Sequence, residues 1–283
     1  MALVLFDVSS LIYRAFYTLN PEKFARPSDG LANNAVYGVA SMTLSLIKKF
    51  QEEFHNIHPV ACLDSPTCNK YRKNISKEYK LNRPKCPTHL SHQFDWITEL
   101  YVSLGIAVVK ADGFEADDII ASYAHQCKLQ YEQIVMVSPD KDLCQLIGDG
   151  VLMYNTRTKS LWNAAEVIEK FDVHPDNFVL YQSIIGDKVD NVNGIRGIGP
   201  KTAVSIIKAC NGNLNEPYVH TKKHVIDKNL DTIETNKKLV SMVCTLDVCK
   251  RVKRFEFVEC RDTFLQFIDK MEISSPNLKK YIS

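Results

Sequence analysis

No cysteine pair in this 283-residue chain has C-x-x-C spacing, and the nine cysteines, at 62, 68, 86, 127, 144, 210, 244, 249 and 260, are odd in number. The first absence argues against a zinc ribbon or a dithiol redox centre; the second leaves a disulfide framework incomplete, so a reducing intracellular compartment is expected. No stretch approaches the roughly 20 consecutive apolar residues of a membrane span. No basic region precedes the apolar run that begins at Ala2 and meets Asp7, the reverse of a secretory leader. No internal repeat or low-complexity tract is present. Charge bias is also lacking: 35 Lys and Arg against 33 Asp and Glu leave +2, which by itself points to neither nucleic acid nor membrane.

What the chain does have is a 45% hydrophobic composition and enough length for one large domain with an appended subdomain. Its most concentrated chemistry is Gly113-Phe114-Glu115-Ala116-Asp117-Asp118-Ile119-Ile120. Three carboxylates within four positions repel one another unless a cation intervenes. The same acids would also suit a helix N-terminus, where exposed N–H groups and the positive dipole end favour negative charge. Further acids stand after buried-strand patterns: Asp7 after Ala2–Phe6, Asp64 after Val60–Leu63, and Asp140 with Asp142 after Ile134–Val137. A further pair, Asp187 and Asp190, lies in Gly186-Asp187-Lys188-Val189-Asp190-Asn191. Each taken singly could be a capping or turn Asp. Together they gather at the carboxyl ends of strands, where ligands bind in open α/β sheets.

Strand-like and helical patterns alternate over residues 1–150, which predicts a mostly parallel central sheet covered by helices on both faces. Helices are expected from Leu11, over Val36–Phe50, over His89–Leu104 and from the acidic segment to Lys128, with 20–33 as loop. Strands are expected at Leu104–Val109 and, as an edge hairpin turning at Thr156-Arg157, at Val151–Tyr154 and Ser160–Trp162. Residues 70–85 carry Lys70, Arg72, Lys73, Lys77, Lys80, Arg83 and Lys85 against Glu78 alone, with Tyr71 and Tyr79 interleaved. Such a stretch suits phosphates and bases, or simply a solvated basic face. From 164 the pattern turns helical, with Asn163 as a cap for 164–171 and Pro175 opening a helix to Ile185. Then comes Gly194-Ile195-Arg196-Gly197-Ile198-Gly199-Pro200-Lys201-Thr202. Its small residues let backbone N–H groups approach a phosphate. Basic helices are expected to about 254, including Lys250-Arg251-Val252-Lys253-Arg254, and only a packing role for the last segment to Leu278.

Phe6-Asp7, Tyr13-Arg14-Ala15-Phe16, Tyr71-Arg72, Tyr79-Lys80-Leu81-Asn82-Arg83, Glu115-Ala116-Asp117-Asp118, Ser138-Pro139-Asp140-Lys141-Asp142 and Gly186-Asp187 through Thr202 resemble, in order and spacing, the 5′ nucleases. That family comprises the N-terminal domain of bacterial DNA polymerase I and the stand-alone flap endonucleases and 5′–3′ exonucleases of bacteria and phages. The resemblance implies an α/β, PIN-like nuclease domain over 1–163 with a basic arch at about 66–90. A helical DNA-binding domain over 164–283 follows, with a helix–hairpin–helix at about 186–210. It implies Asp7, Asp64, Glu115, Asp117, Asp118, Asp140 and Asp142 as ligands of Mg²⁺, with Mn²⁺ as substitute. Asp187 and Asp190 then serve a second, more labile site, and roughly 4 Å between two such ions suits phosphodiester hydrolysis. Lys80, Arg83 and Arg72 are implied at the scissile phosphate and Tyr79 at a base; Lys141, between Asp140 and Asp142, should point elsewhere. Gly38 is implied near the substrate, although a helix–helix contact would explain it equally. Gly194, Gly197, Gly199, Lys201 and Thr202 are implied on duplex DNA, with K⁺ on loop carbonyls. The expected protein is a cytoplasmic monomer of a bacterium or phage-infected cell, separate from any polymerase, acting on 5′ flaps, nicks and ends or on RNA–DNA primers.

Three other readings compete. A non-catalytic DNA-binding member would lack some of the nine acids. A ribonuclease of the smaller related fold would lack the helix–hairpin–helix. An aspartyl-nucleophile phosphatase would need a second Asp two residues after Asp7, where Ser9 stands.

Overall fold

The run Ala2–Asp7 forms β1, buried along its whole length at the centre of a six-stranded sheet. The computed structural model describes residues 1–248, 261–276 and 278. In sequence order β2 is Ile57–Cys62, β3 Ala107–Val109, β4 Gln133–Val137, β5 Val151–Asn155 and β6 Ser160–Trp162, and the spatial order is β3-β2-β1-β4-β5-β6. All neighbours run parallel except the antiparallel edge pair β5 and β6. Alternation along β1 divides the core: Ala2, Val4 and Phe6 face one cluster, Leu3 and Leu5 the other. A strand buried on both faces needs an unbroken apolar run, which is what residues 2–6 supply.

On the first face lie α1 (Val8–Thr18) and α2 (Asn34–Phe54), followed later by the short α4 (Thr88–Ser91) and α5 (Gln93–Ser103). Between them in sequence comes α3 (Lys70–Ile75), part of the basic segment. The other face is covered by α6 (Ala116–Gln126). The helical part contains α7 (Ala164–Phe171), α8 (Phe178–Ile185), α9 (Pro200–Ala209), α10 (Lys223–Asp227) and α11 (Leu230–Val240), with a small hairpin of β7 (Gly186–Asp187) and β8 (Val192–Asn193) after α8. Asn163 caps α7 by accepting from the Ala165 N–H, while Glu166 accepts from the Asn163 N–H at 2.7 Å, a reciprocal capping box.

Several boundaries differ from the sequence reading. β3 begins only at Ala107, because Gly105, with φ 69°, turns the chain out of α5. β2 starts three residues before Val60 and includes Pro59; β3 does not reach that far, so the missing N–H breaks no ladder on that side. Helix ends at Val240, and the next residues to Val248 are irregular; the basic run 250–254, like Cys249 and Cys260, lies outside the described residues. Finally α12 (Arg261–Lys270) returns to the first face of the sheet, burying Phe264, Phe267 and Ile268 in the cluster of α1, α2 and α5. The sequence reading put this tail in the helical domain; its described part packs instead on the first face of the sheet, and residues 255–260 lie outside the described residues.

Candidate active site

Strand order switches between the parallel neighbours β1 and β4, with β2 and β3 added on one side and β5 and β6 on the other, and the carboxyl ends of strands at such a switch are where a doubly wound sheet exposes its ligand crevice. Asp7 closes β1 and caps α1, accepting from the Ser10 N–H at 3.1 Å and from Ser138 Oγ at 2.6 Å. Asp64, just past β2, accepts from Ser9 Oγ at 2.7 Å and the Ala116 N–H at 2.8 Å. Asp140 follows β4 and caps a 3₁₀ turn over Lys141–Leu146, accepting from the Asp142 N–H at 2.9 Å. Glu115 and Asp118 form a capping box at the start of α6. Capping and site are therefore not alternatives, since Asp7, Asp140 and Glu115 cap an element and also face a cavity of about 170 Å³. Asp7, Asp64, Glu115, Asp117, Asp140 and Asp142 line it from the sheet edge and the start of α6; Asp187 and Asp190, from β7 and the loop after it, close it from the helical part.

Burial and mutual repulsion set the electrostatics. Burial, with the charges of Asp64 and Asp140, pushes the Asp7 carboxyl up to about 6. Asp142 is pushed up to about 7 by burial and by Asp140. Asp117 is driven well above the usual carboxylate range by burial, Asp7 and Asp140. For Asp190 burial alone would raise the pKa, but Lys80 and Arg83 outweigh it and hold the group ionised. Two ammonium groups occupy the acid ring: Lys80 contacts Glu115 and lies 3.5 Å from Asp190, and Lys141 contacts Asp187 and lies 3.0 Å from Asp142. With these side chains between them, no three of the described acids, imidazoles or thiols stand as a ready-made metal cage. Asp117 accepts no hydrogen bond or ion pair among the described residues, alone in the ring.

Five expected roles meet a different geometry. Asp118 points away from the cavity: both its oxygens bind Arg72, at 2.7 and 2.8 Å, and it also accepts from the Val243 N–H at 2.9 Å. Arg72 is buried with it, 3.0 Å from Glu115 and donating to the Leu239 and Ser241 carbonyls, so its charge is fully engaged inside the protein. Tyr79 is buried too, its hydroxyl donating to Glu115 at 2.9 Å and Asp190 at 3.0 Å rather than offering a ring to a base. Gly38 is a helix–helix contact, since a Cβ there would lie 2.6 Å from Ala15 Cβ of α1. Lys141 turns back onto the acids. The turns after α3 tie to the helical part through Lys80 N–H to the Asp190 carbonyl at 2.9 Å and Arg83 to Asp190 at 2.6 Å, while Lys70, Lys73, Lys77 and Lys85 stay exposed.

The glycine loop divides similarly. Gly194 packs against Ile185, whose carbonyl oxygen would lie 2.1 Å from an added Cβ, whereas Gly197 and Gly199 face open space. No side chain caps α9 at Gly199, and Pro200 opens the helix with Lys201 exposed. Ser9, Ser138 and Gln182, whose amide donates to Asp142, were not anticipated as site residues. Ser138 sits in the same tripeptide as Asp140 and was legible as a motif; nothing in the sequence marks Gln182, which arrives from α8.

Two family models match consecutive parts of the chain: the 5′–3′ exonuclease N-terminal resolvase-like domain over residues 2–172 and the 5′–3′ exonuclease C-terminal SAM fold over 173–263. A 5′–3′ exonuclease of Aquifex aeolicus is 36% identical over 248 residues, covering 87% of this chain and 83% of that protein. DNA polymerase I of Rhizobium leguminosarum is 38% identical over 208 residues, 73% of this chain but only 20% of the polymerase. Among solved structures, the T5 D15 protein co-crystallised with metal ions superposes with a TM-score of 0.67 at 19% identity, over 100% of this chain and 97% of that one. The catalytic core of Rad2 in complex with DNA substrate gives 0.61 at 15%, over 99% and 90%. The two structures share the fold, and the sequence relatives together with the two matched domain models settle the kinship: this chain belongs to the 5′–3′ exonuclease family.

Proposed function

We propose that the protein is a divalent-metal-dependent, structure-selective 5′ nuclease that hydrolyses DNA at 5′ flaps, nicks and free 5′ ends in replication and repair, with RNA–DNA primers within its range. The observation that carries this reading is the cavity walled by eight carboxylates from both parts of the chain, in which Asp117 has no donor among the described residues. The donor set fits Mg²⁺ or Mn²⁺, because the wall offers carboxylate oxygens and no imidazole or thiolate. Asp7, Asp64, Glu115, Asp117, Asp140 and Asp142 would serve the core metal site, directly or through water, and Asp187 with Asp190 a second site. Such ions, when bound, activate water, neutralise charge on the phosphoryl group and stabilise the leaving oxygen.

The chain's own residues do the rest. Ser138 and Ser9 fix the orientation of Asp7 and Asp64. The Arg72–Asp118 pair holds the start of α6, and with it Glu115 and Asp117, against the helical part. Lys80 inside the acid ring and the half-exposed Arg83 beside it supply positive charge to the cavity, where a scissile phosphate would sit and where cationic donors stabilise the charge that develops. The N-terminus of α9 with Gly197 and Gly199 suits the backbone of a duplex arm, and the carbonyls of that loop are the place for the K⁺ that the family resemblance implies. A non-catalytic reading has no missing acid to rest on.

The test compares a 5′-flap, a nicked duplex and single-stranded DNA with Mg²⁺, Mn²⁺ and EDTA. Cleavage of the first two, dependent on the divalent ion and lost in Asp117→Asn, is expected. Turnover indifferent to EDTA and to that substitution would remove the proposal.

A further inference from the structure

A groove of about 820 Å³ continues from the acid cavity, within the range of about 300–1,000 Å³ typical of ligand clefts. Its near wall is the carboxylate ring; its far wall is built by α1, the turn between β5 and β6, and α7, with Tyr17, Arg157, Trp162 and Lys170. Tyr17 is 69% exposed and lies nearly parallel to Tyr13, at 19° with centroids 6.4 Å apart. Arg157 is exposed on the turn, with no ion pair among the described residues. Lys170 sits 4.5 Å over the Trp162 ring, without a carboxylate partner among the described residues. The wall is firmly built: Asn155 accepts from the Arg157 and Thr158 N–H groups at 2.9 and 3.2 Å, and Arg14 ties the turn to α1 through the Thr156 carbonyl at 2.6 Å.

Charge therefore changes sign along the groove, from carboxylates at the cavity to these two cations beyond it. We infer that this groove seats the single-stranded 5′ segment of the substrate, with a base on Tyr17 and phosphates at Arg157 and Lys170; the inference rests on the nuclease reading above. A polyanionic strand is repelled by the acid ring except at the bond being cut, so it leaves toward the cations. An exposed aromatic face suits unstacked bases, since a duplex keeps its base faces stacked on one another.

Binding measured by fluorescence anisotropy in EDTA, on nicked duplexes with and without a short 5′ flap and on one with a 3′ flap, tests this. Wild type should hold the 5′-flap duplex more tightly than the unflapped one. Arg157→Ala with Lys170→Ala should flatten the slope of log affinity against log salt by about 1.4 on the 5′ flap alone, at about 0.7 per phosphate contact on a single strand. Tyr17→Ala should weaken flap binding by roughly tenfold and leave the unflapped duplex unchanged. No gain from the flap in wild type, equal loss on all three duplexes, loss confined to the 3′ flap, or no loss would each overturn the inference. The nuclease reading stands or falls separately, on Mg²⁺-dependent cleavage of the unflapped duplex by wild type.

Discussion

Asp142 shows how a single carboxylate can be both necessary and unfavourable. Its folded-state pKa of about 7 lies above the ordinary carboxylate value because burial and Asp140 disfavour its charge, and only Lys141 and Gln182 oppose this. A raised folded pKa means that the native chain binds more protons than the unfolded one, so metal-free stability is greatest below pH 4 for this group and is lost as pH rises to about 7. Asp142→Asn removes the charge. In EDTA the variant should therefore become progressively more stable than wild type between pH 4 and 7, the gap widening by on the order of 1.4 kcal/mol per pH step of one. Parallel urea melts at several pH values would show it, and a constant difference across that range would contradict the assignment. Excess divalent ion should erase the variant's advantage, since the ion supplies the compensation that the wild-type carboxylate lacks.

Elements of the fold meet at two close contacts. Arg72 of α3 spans to Asp118 of α6 and to carbonyls at the end of α11 and just after it. Arg72→Met leaves the Asp118 carboxylate buried without a counter-charge, held only by the Val243 and Glu115 N–H groups, which should cost about 3–5 kcal/mol in a urea melt, and adding Asp118→Asn should recover part of the loss. At the crossing of α1 and α2, Gly38→Ala places a methyl 2.6 Å from Ala15 Cβ. Overpacking of that kind should cost about 1–3 kcal/mol and leave DNA affinity intact; a selective loss of affinity would restore Gly38 to the substrate. These contacts also mark the limit of what the sequence discloses. β1 and β4 were legible because a fully buried parallel strand must be a continuous apolar run, and the strand-end acids because their positions repeat. The roles of Arg72 and Tyr79 were not, because a basic, aromatic stretch reads the same whether its charges face solvent or a partner such as Leu239, 167 residues away. Likewise Phe264, Phe267 and Ile268 spell an amphipathic helix, but nothing in that spacing says which domain it will cover.

At the scale of the whole molecule, the acid cavity lies where the carboxyl edge of the sheet meets the helical part that follows it. Asp187 and Asp190 arrive from the helical part, and Lys80, Lys141 and Arg83 bridge across to them. Those bridges keep the metal-free protein together, but ammonium groups on tethered chains satisfy carboxylates incompletely, as the elevated Asp7, Asp117 and Asp142 show. An ion that binds only the folded cavity stabilises it by mass action, by about 2.7 kcal/mol at a concentration one hundred times its dissociation constant. For a chain of this size each kcal/mol raises Tm by about 2–4 °C. Saturating Mg²⁺ or Mn²⁺ should therefore raise Tm by roughly 5–10 °C over EDTA. If the cavity is shared, Asp187→Asn with Asp190→Asn should reduce that rise, although both changes lie outside the nuclease sheet. A rise untouched by the pair would place the ions wholly on the acids of the sheet edge and α6, and no rise at all would leave the carboxylates without the cation their crowding requires.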